Sequence, residues 1–420
     1  MGTPDAVVVG AGAVGLCCAC ALAREGLRVL LLERKFPGAG ASWGNAGLVA
    51  PSRSVPLAEP GVVRRGLRWM LDPTSPLYIP LRVDAGLVRW LWRFWRSSTT
   101  SHLRRSLPLL VRLQRWSLSL YRELEGHGLD FGFRTAGTLA VFQSPRELAS
   151  FLGKVDLLRE HGVPAEVLDP DAALQREPLL RPRLAGAVSF PEDACVDPAR
   201  LVECLVAYAG ALGVEIRSGA AGERLWRRGK EVSVEAGGSL LHPAAVVVAA
   251  GAWSAPLLRT VGIRIPVLPA KGYAVTLPHA ALPGRPLMLS EARVAVTPLQ
   301  GPGGEARIRL AGTLELGVEE DGINHRRVLA IRRSAARYLD LDPSGGEVWA
   351  GLRPCTPDGL PVVGRPRGYR NLVVATGHGT LGISLAPVTG ELVASLVAGR
   401  PVQELDPLSP DRFCSGPHVV

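Results

Sequence analysis

The opening thirty-three residues spell out a strand, a glycine turn, a helix and a second strand. Ala6-Val7-Val8-Val9 reads as a short buried strand, and Gly10-Ala11-Gly12-Ala13-Val14-Gly15 follows without a gap. Leu16 to Arg24 continue as an apolar helix that Gly26 can end. Val29 to Leu32 is a second buried strand, closed by Glu33, eighteen residues beyond the last glycine of the turn. A dinucleotide site needs these parts in this order. Gly10 allows the turn, Gly12 lets the backbone approach a pyrophosphate, and Gly15 lets helix and strand pack closely. The helix N-terminus offers unpaired N–H groups and a partial positive charge to the phosphates. Glu33 can accept a hydrogen bond from a ribose hydroxyl. A bound dinucleotide is therefore expected, with Ala13, Val14 and Arg34 also against it.

At 420 residues the chain exceeds what one core usually holds, and two domains are expected. The formal charge of +10 is concentrated: Arg64 to Arg115 hold eleven arginines against Asp72 and Asp84, a net +9. Five of the nine tryptophans, Trp69, Trp90, Trp92, Trp95 and Trp116, stand in or beside that stretch. Trp and Arg at this density suit a membrane surface or an acidic partner chain; the plainer reading is a solvated helix face with tryptophans packed inward. No nucleic-acid motif accompanies the basic run, and no nucleic-acid partner is expected. The seven cysteines form no framework. Cys17 and Cys20 make a C-x-x-C, but no second pair completes a zinc site, so no metal is expected and a reducing compartment suits the pattern. No basic region precedes the first apolar stretch, and no uninterrupted apolar run reaches membrane-spanning length. The expected location is cytoplasmic; contact with the inner face of the cytoplasmic membrane and contact with a partner subunit are the two alternatives for residues 64–115.

Along the chain, Gly38 to Gly47, including Ser42, Asn45 and Ala46, form a glycine-rich loop just past the second strand, placed to touch the dinucleotide. Residues 61–126 are helical in tendency. Phe133 to Phe142 reads as a strand pair or a bent strand. Ser144-Pro145-Arg146-Glu147 is a capping box opening a helix to about His161. Asp197-Pro198 opens another helix, and Val214 to Arg217 is a strand that returns to the first domain. Ala244 to Ala250, closed by Gly251, reads as a strand buried on both faces. From Gly272 to Leu316 the pattern alternates, as in an antiparallel sheet with one wet face. Asn324 can cap a helix to about Leu339. Gly351 to Gly359 are dense in turn residues around Arg353, and Asn371 to Ala375 form a last buried strand before Thr376-Gly377-His378-Gly379-Thr380-Leu381-Gly382 and an apolar helix.

These segments together resemble the D-amino-acid oxidase-like flavoproteins, and among them the bacterial D-amino-acid dehydrogenases. The matching stretches are Gly10 to Gly15 with Glu33, Gly44-Asn-Ala-Gly47, Gly137-Thr-Leu139, Lys271-Gly-Tyr273, Gly351-Leu-Arg353-Pro354, Thr356-Pro-Asp-Gly359 and Thr376-Gly-His-Gly-Thr380. The resemblance implies an α/β fold. Its Rossmann-like FAD-binding domain would be discontinuous, from 1–50, 190–262 and 350–410. A substrate domain with a mostly antiparallel sheet and helices would be built from 51–189 and 263–349. It implies FAD as cofactor, held by the residues named above together with Ala250, Gly251 and the Gly377-His378-Gly379-Thr380-Leu381 turn. It also implies oxidative deamination of D-amino acids, the electrons passing to a quinone or other non-oxygen acceptor. An arginine fork suits the substrate carboxylate, and Arg353 is the candidate, with Tyr273 as a second contact. His378, between glycines, is expected to act through its backbone. Cysteine-linked flavins occur near a similar turn in the sarcosine oxidases, but the spacing at Cys355 differs and an inert thiol is expected. Three other readings stand beside this one: a D-hydroxyproline, D-proline or secondary-amine (sarcosine or glycine) dehydrogenase or oxidase; a flavin-binding subunit of a hetero-oligomer; and an NAD-dependent dehydrogenase.

Overall fold

The computed structural model describes residues 3–63, 77–79, 84–301, 303–318, 322–342 and 344–414. Its N-terminal core is a sheet in which β1 (Ala6–Val9) lies between β2 (Val29–Glu33) and the strand Ala245–Val248, all parallel. Glu215–Ser218 extends it beyond β2, Leu372–Thr376 extends it beyond Ala245–Val248, and an antiparallel edge strand, Val362–Gly364, completes six. The central strands are continuous apolar runs because both faces are covered. On one face lies α1 (Ala13–Arg24), with Leu16, Cys18, Ala19 and Leu22 buried. The sheet is thus assembled from three distant parts of the chain, as expected. A three-stranded antiparallel meander, Arg224 to Leu241, packs on the other face through Leu225, Val232 and Val234; the sequence reading did not resolve it.

The second sheet has nine described strands. Its antiparallel heart is β3 (Leu268–Pro278), β4 (Val294–Gln300), β5 (Ala306–Leu316) and β6 (Glu347–Cys355), in the order β6-β3-β5-β4. Two parallel pairings, Leu287–Leu289 with Thr138–Phe142 and Leu77–Tyr78 with β5, make it mixed at its margins. The β3–β5 register slips: Lys271 faces Glu315, but Tyr273 faces Gly312. Thr313 and Leu314 therefore both stand opposite Gly272, a bulge that re-aims the backbone.

Four differences from the sequence reading have physical causes. Gly351 to Cys355 are strand, not turn, because β6 is an edge strand, where Pro354 and Gly351 are tolerated. Its start at Glu347 puts this segment in the second sheet rather than in the returning 350–410 piece. Between Phe133 and Phe142 only Thr138–Phe142 is a strand, and Arg134 makes a single bridge to Cys195. The expected helix after Asn324 stops at Ala335.

Within 61–126, α2 spans Ala85–Ser97 and α3 spans Thr100–Gly126; residues 64–76 and 80–83 of the basic stretch, Trp69 among them, lie outside the described residues. Asp84 caps α2 by accepting from the Gly86 and Leu87 N–H groups. α3 was assigned with 51–189 to the substrate part, yet its Leu109, Leu110, Leu113, Leu118 and Tyr121 join the core beneath the nucleotide sheet. Their helical spacing buries one stripe against α4 (Gly382–Val397), and the Tyr121 hydroxyl donates to the Ile383 carbonyl at 2.7 Å. Gly379–Val397 is long and apolar enough to cross a membrane by composition; here its larger part is buried as a core helix.

Candidate functional site

The cofactor cleft opens at the C-terminal end of β1. Gly10 has φ 105°, and a Cβ on Gly15 would lie 1.8 Å from the Gly10 carbonyl oxygen, so neither position admits a side chain. A Cβ on Gly12 would meet only the Ser42 hydroxyl, at 3.3 Å, which leaves the floor of the cleft open. Ser42 Oγ accepts from the Ala13 N–H at 3.0 Å and caps α1 from the glycine-rich loop. Glu33 accepts from the Ala11 N–H (2.8 Å) and the Lys35 N–H (3.0 Å), which fixes its carboxylate at the cleft wall. The Arg34 guanidinium lies 4.2 Å over the Trp253 ring.

Of the residues expected around a dinucleotide, Gly10, Gly12, Ala13, Val14, Glu33, Arg34, Ser42, Asn45, Ala250, Gly251, His378 and Gly379 line this cleft. Gly15, Gly47 and Gly377 lie behind it as close-approach positions: a Cβ would sit 2.1 Å from the Val196 carbonyl at Gly47 and 2.7 Å from Thr356 at Gly377. Ala46, Thr380 and Leu381 face the neighbouring cavity instead. The His378 ring turns away onto α4, where its Nε2 donates to Thr389 Oγ1 (3.0 Å), whose own proton goes to the Leu385 carbonyl. Burial lowers its pKa to about 4, so the imidazole is neutral at pH 7.

A second cavity of roughly 570 Å³ adjoins the cleft, and Asn45 lines both. Arg353 stands in its wall, half-buried. A Cβ on Gly272 would lie 2.0 Å from Arg353 Nη1, so the absence of a side chain there makes room for the guanidinium. Arg353 Nη1 donates to the Thr313 carbonyl at 2.9 Å. Thr313 has φ 64° and Arg293 φ 53°; among the described residues these are the two non-glycine residues in the left-handed region, and both line this cavity. Strain of that kind concentrates where a backbone must be aimed. Desolvation pulls the Arg353 pKa below its usual value without threatening its charge. Arg53 and Arg293 share the wall, and much of the remainder is apolar, including Leu48, Leu91, Phe94 and Met288.

Tyr273 is not in this cavity. On a strand, neighbours alternate sides, and Gly272 faces Arg353, so Tyr273 faces the opposite side of the sheet. It is buried, and its hydroxyl donates to Glu315 Oε2 at 2.7 Å. Glu315 in turn pairs with Lys271 (3.5 Å) and Arg327 (3.4 Å). The expected carboxylate contact is thus replaced by a structural network.

Sequence reasoning missed two residues that hold the glycine-rich loop over the cleft. Arg309 on β5 is buried; its Nη1 donates to the Trp43 and Asn45 carbonyls at 3.1 Å each and its Nε to Thr276 Oγ1 at 3.1 Å. Thr297 Oγ1 donates to the Ala46 carbonyl at 2.6 Å. The alternation in β5 put Arg309 on a wet face, but that face is covered by the loop. Cys355 sits in an apolar cluster with Trp90 and Leu316, and burial pushes its thiol up to about 12. On α2, Trp90 is buried, its Nε1 donating to the Pro266 carbonyl (3.0 Å), whereas Trp92 and Trp95 are 50% and 60% exposed.

The family described as "DAO: FAD dependent oxidoreductase" matches residues 5–396. The chain is similar to "D-amino acid dehydrogenase" of Methylobacterium radiotolerans, 38% identical over 410 residues that cover 94% of this chain and 96% of the relative. It is similar to the protein of the same name from Methylobacterium nodulans at 37% identity, covering 94% and 95%. Among solved structures, glycine oxidase from Geobacillus kaustophilus superposes with a TM-score of 0.78 at 26% identity, covering 98% of this chain and 99% of that one. L-proline dehydrogenase from P. horikoshii shares the fold, with a TM-score of 0.74 at 20% identity over 98% of each chain. The open floor at Gly12, the α1 N-terminus and the Glu33 carboxylate fit the dinucleotide of FAD, the cofactor that the family description names.

Proposed function

The chain belongs to the DAO family of FAD-dependent oxidoreductases, and from that premise we propose that it oxidises D-amino acids, passing the electrons to a quinone or another acceptor than oxygen. The observation that carries the reading is Arg353: a cavity-facing guanidinium, seated over Gly272 and aimed by Thr313, in a largely apolar pocket that adjoins the cofactor cleft. Bound FAD supplies the acceptor for the hydride that leaves the substrate Cα. The protein supplies position. Arg353 keeps one Nη1 hydrogen on Thr313 and presents its remaining donors to the substrate carboxylate, which fixes the direction of Cα–H. The apolar wall excludes water and strengthens that ion pair. The amine must be neutral when the hydride leaves. Its proton goes to solvent, because His378, neutral and turned onto Thr389, does not reach for it. Loss of that proton and of the hydride leaves an iminium ion, which water hydrolyses to a 2-oxo acid and ammonium.

Arg353→Lys keeps the charge and loses the fork. The expected result is a fall in kcat/KM of about 10- to 100-fold, from a charged hydrogen bond of about 1.5–3 kcal/mol, with flavin content unchanged. Wild-type kinetics in that variant would remove Arg353 from the site. A secondary amine such as D-proline or sarcosine uses the same anchor, so a substrate panel in the same assay separates the branches. The acceptor reading draws support from α2. Val88, Trp92 and Trp95 share one exposed face, and Arg89 and Arg96 flank them. That face suits the anionic surface of a membrane, where quinones reside.

A further inference from the structure

One face of the second sheet carries the glycine-rich loop. On that face Thr276, Arg309 and Thr297 stand in one row across β3, β5 and β4, and Ala274, Ala311 and Ala295 stand in the next. The alanine row makes a shallow seat against which Ala46 and Leu48, at the end of the loop, are packed together with Trp349 of β6. A Cβ on Gly44 would meet the Trp349 ring at 2.1 Å, so the loop lies directly on that ring.

Arg309 ties the loop to this face. It is buried, and its hydrogen bonds go to uncharged groups: Nη1 to the Trp43 and Asn45 carbonyls, Nε to Thr276 Oγ1. Burying a charge is costly unless such bonds are kept, and packing alone would be served by an apolar side chain. Two carbonyls two residues apart call for a planar, multi-donor group, which a guanidinium is. Thr297 Oγ1 holds the next carbonyl, that of Ala46. Asn45 turns its own side chain back on the loop, Oδ1 accepting from the Gly47 N–H at 2.9 Å. The segment fixed in this way is the seam of the site: Asn45 lines both the cofactor cleft and the adjoining cavity, and Ala46 lines the cavity.

The same strand aims the proposed substrate anchor. Thr313, whose carbonyl accepts from Arg353, stands four residues beyond Arg309 on β5, roughly 13 Å at the rise of a strand. One strand therefore holds the cofactor loop at one point and Arg353 at another. Arg309 lines neither the cleft nor the cavity, so it acts through the loop. We propose that Arg309 is a positioning residue that sets the register between FAD and the substrate carboxylate, by fixing the Trp43–Ala46 segment to the strand that orients Arg353. The register to the substrate rests on the amino-acid oxidation read above; the hold on FAD does not.

The test compares Arg309→Met, Arg309→Lys and Thr297→Val with the wild type. Titration of the apoprotein with FAD, followed by flavin fluorescence, should show affinity at least about tenfold weaker in Arg309→Met, a charged hydrogen bond being worth that much. In the FAD-saturated variant, anaerobic reduction by a D-amino acid should have a limiting rate about tenfold lower or more. The half-saturating substrate concentration should stay within about threefold of the wild type, because Arg353 and Thr313 are untouched. Arg309→Lys should recover part of both losses. Thr297→Val should show the same split at smaller size, and it carries the test if Arg309→Met does not fold. Unchanged FAD affinity and limiting rate beside a lowered Tm would reduce Arg309 to a packing role and overturn the inference. A loss confined to the half-saturating concentration overturns it too. If no D-amino acid reduces the wild-type flavin, the oxidation reading falls, and the FAD titration alone decides: unchanged affinity overturns the role of Arg309.

Discussion

Gly272→Ala isolates the seat of Arg353, the proposed substrate anchor, without touching Arg353 itself. Gly272 does not lie in the left-handed region, so alanine adds no backbone strain. Its Cβ would meet Arg353 Nη1 at 2.0 Å, Cζ at 2.2 Å and Nη2 at 2.3 Å. Ordinary contact needs about 3.5 Å, so the guanidinium must shift by roughly 1.5 Å. That shift breaks the 2.9 Å bond to the Thr313 carbonyl and moves the fork off the carboxylate. A charged hydrogen bond is worth about 1.5–3 kcal/mol, and a misplacement near 1 Å costs up to about a hundredfold; kcat/KM should fall about 10- to 100-fold. Steady-state kinetics with an artificial acceptor, beside flavin content and Tm, measure it; the last two should not change. In an Arg353→Met background the added alanine should cost nothing further, because both changes act on one group. Wild-type kcat/KM in Gly272→Ala, or an equal loss in both backgrounds, would refute the reasoning.

Asp193 offers a test through pH. Burial raises its carboxyl to about 6, above the usual 3.8, so between about pH 4 and 6 the folded chain holds a proton that the unfolded chain releases. Stability from this residue therefore falls as pH rises through that window, by about 3 kcal/mol at 1.36 kcal/mol per unit. Unfolding of the wild type and Asp193→Asn at pH 4.5 and pH 7 should show the wild type losing ground relative to the variant; a difference that does not change with pH contradicts this. On α2, sedimentation with anionic vesicles should capture the chain at low salt, release it at high salt, and weaken in Trp92→Ala/Trp95→Ala. Capture by neutral vesicles just as strong, or by neither kind, contradicts the membrane reading.

What the sequence disclosed follows from how local each signal is. The β1–turn–α1–β2 unit is legible because every part lies within one continuous segment, and Gly10, Gly15 and Glu33 answer to backbone and packing demands inside it. The returning strands are legible because burial on both faces leaves continuous apolar runs such as Ala245–Val248. The clamp by Arg309 and Thr297 was not legible, because alternation tells which residues share a face and not what covers that face. Tyr273 failed for a related reason. Its neighbours Lys271 and Gly272 mark the right strand, but which side points into the cavity depends on the bulge at Thr313 and Leu314, set by a strand some forty residues on. Gly272 itself carried no signal until Arg353 was seen across it. For α3, arginine and tryptophan density drew attention outward, while the leucine stripe that commits the helix to the nucleotide core went unread.

The most direct measurement is anaerobic bleaching of the flavin band in the purified protein, with D- and L-amino acids, D-proline, D-hydroxyproline and sarcosine added singly. The account predicts a yellow protein whose band is lost with D-amino acids and persists with their L-enantiomers. A flavin band that no amine bleaches would contradict the proposed chemistry at the Arg353 cavity, and a protein purified with no flavin band that takes up none would contradict the reading of the cleft from Gly10 onward.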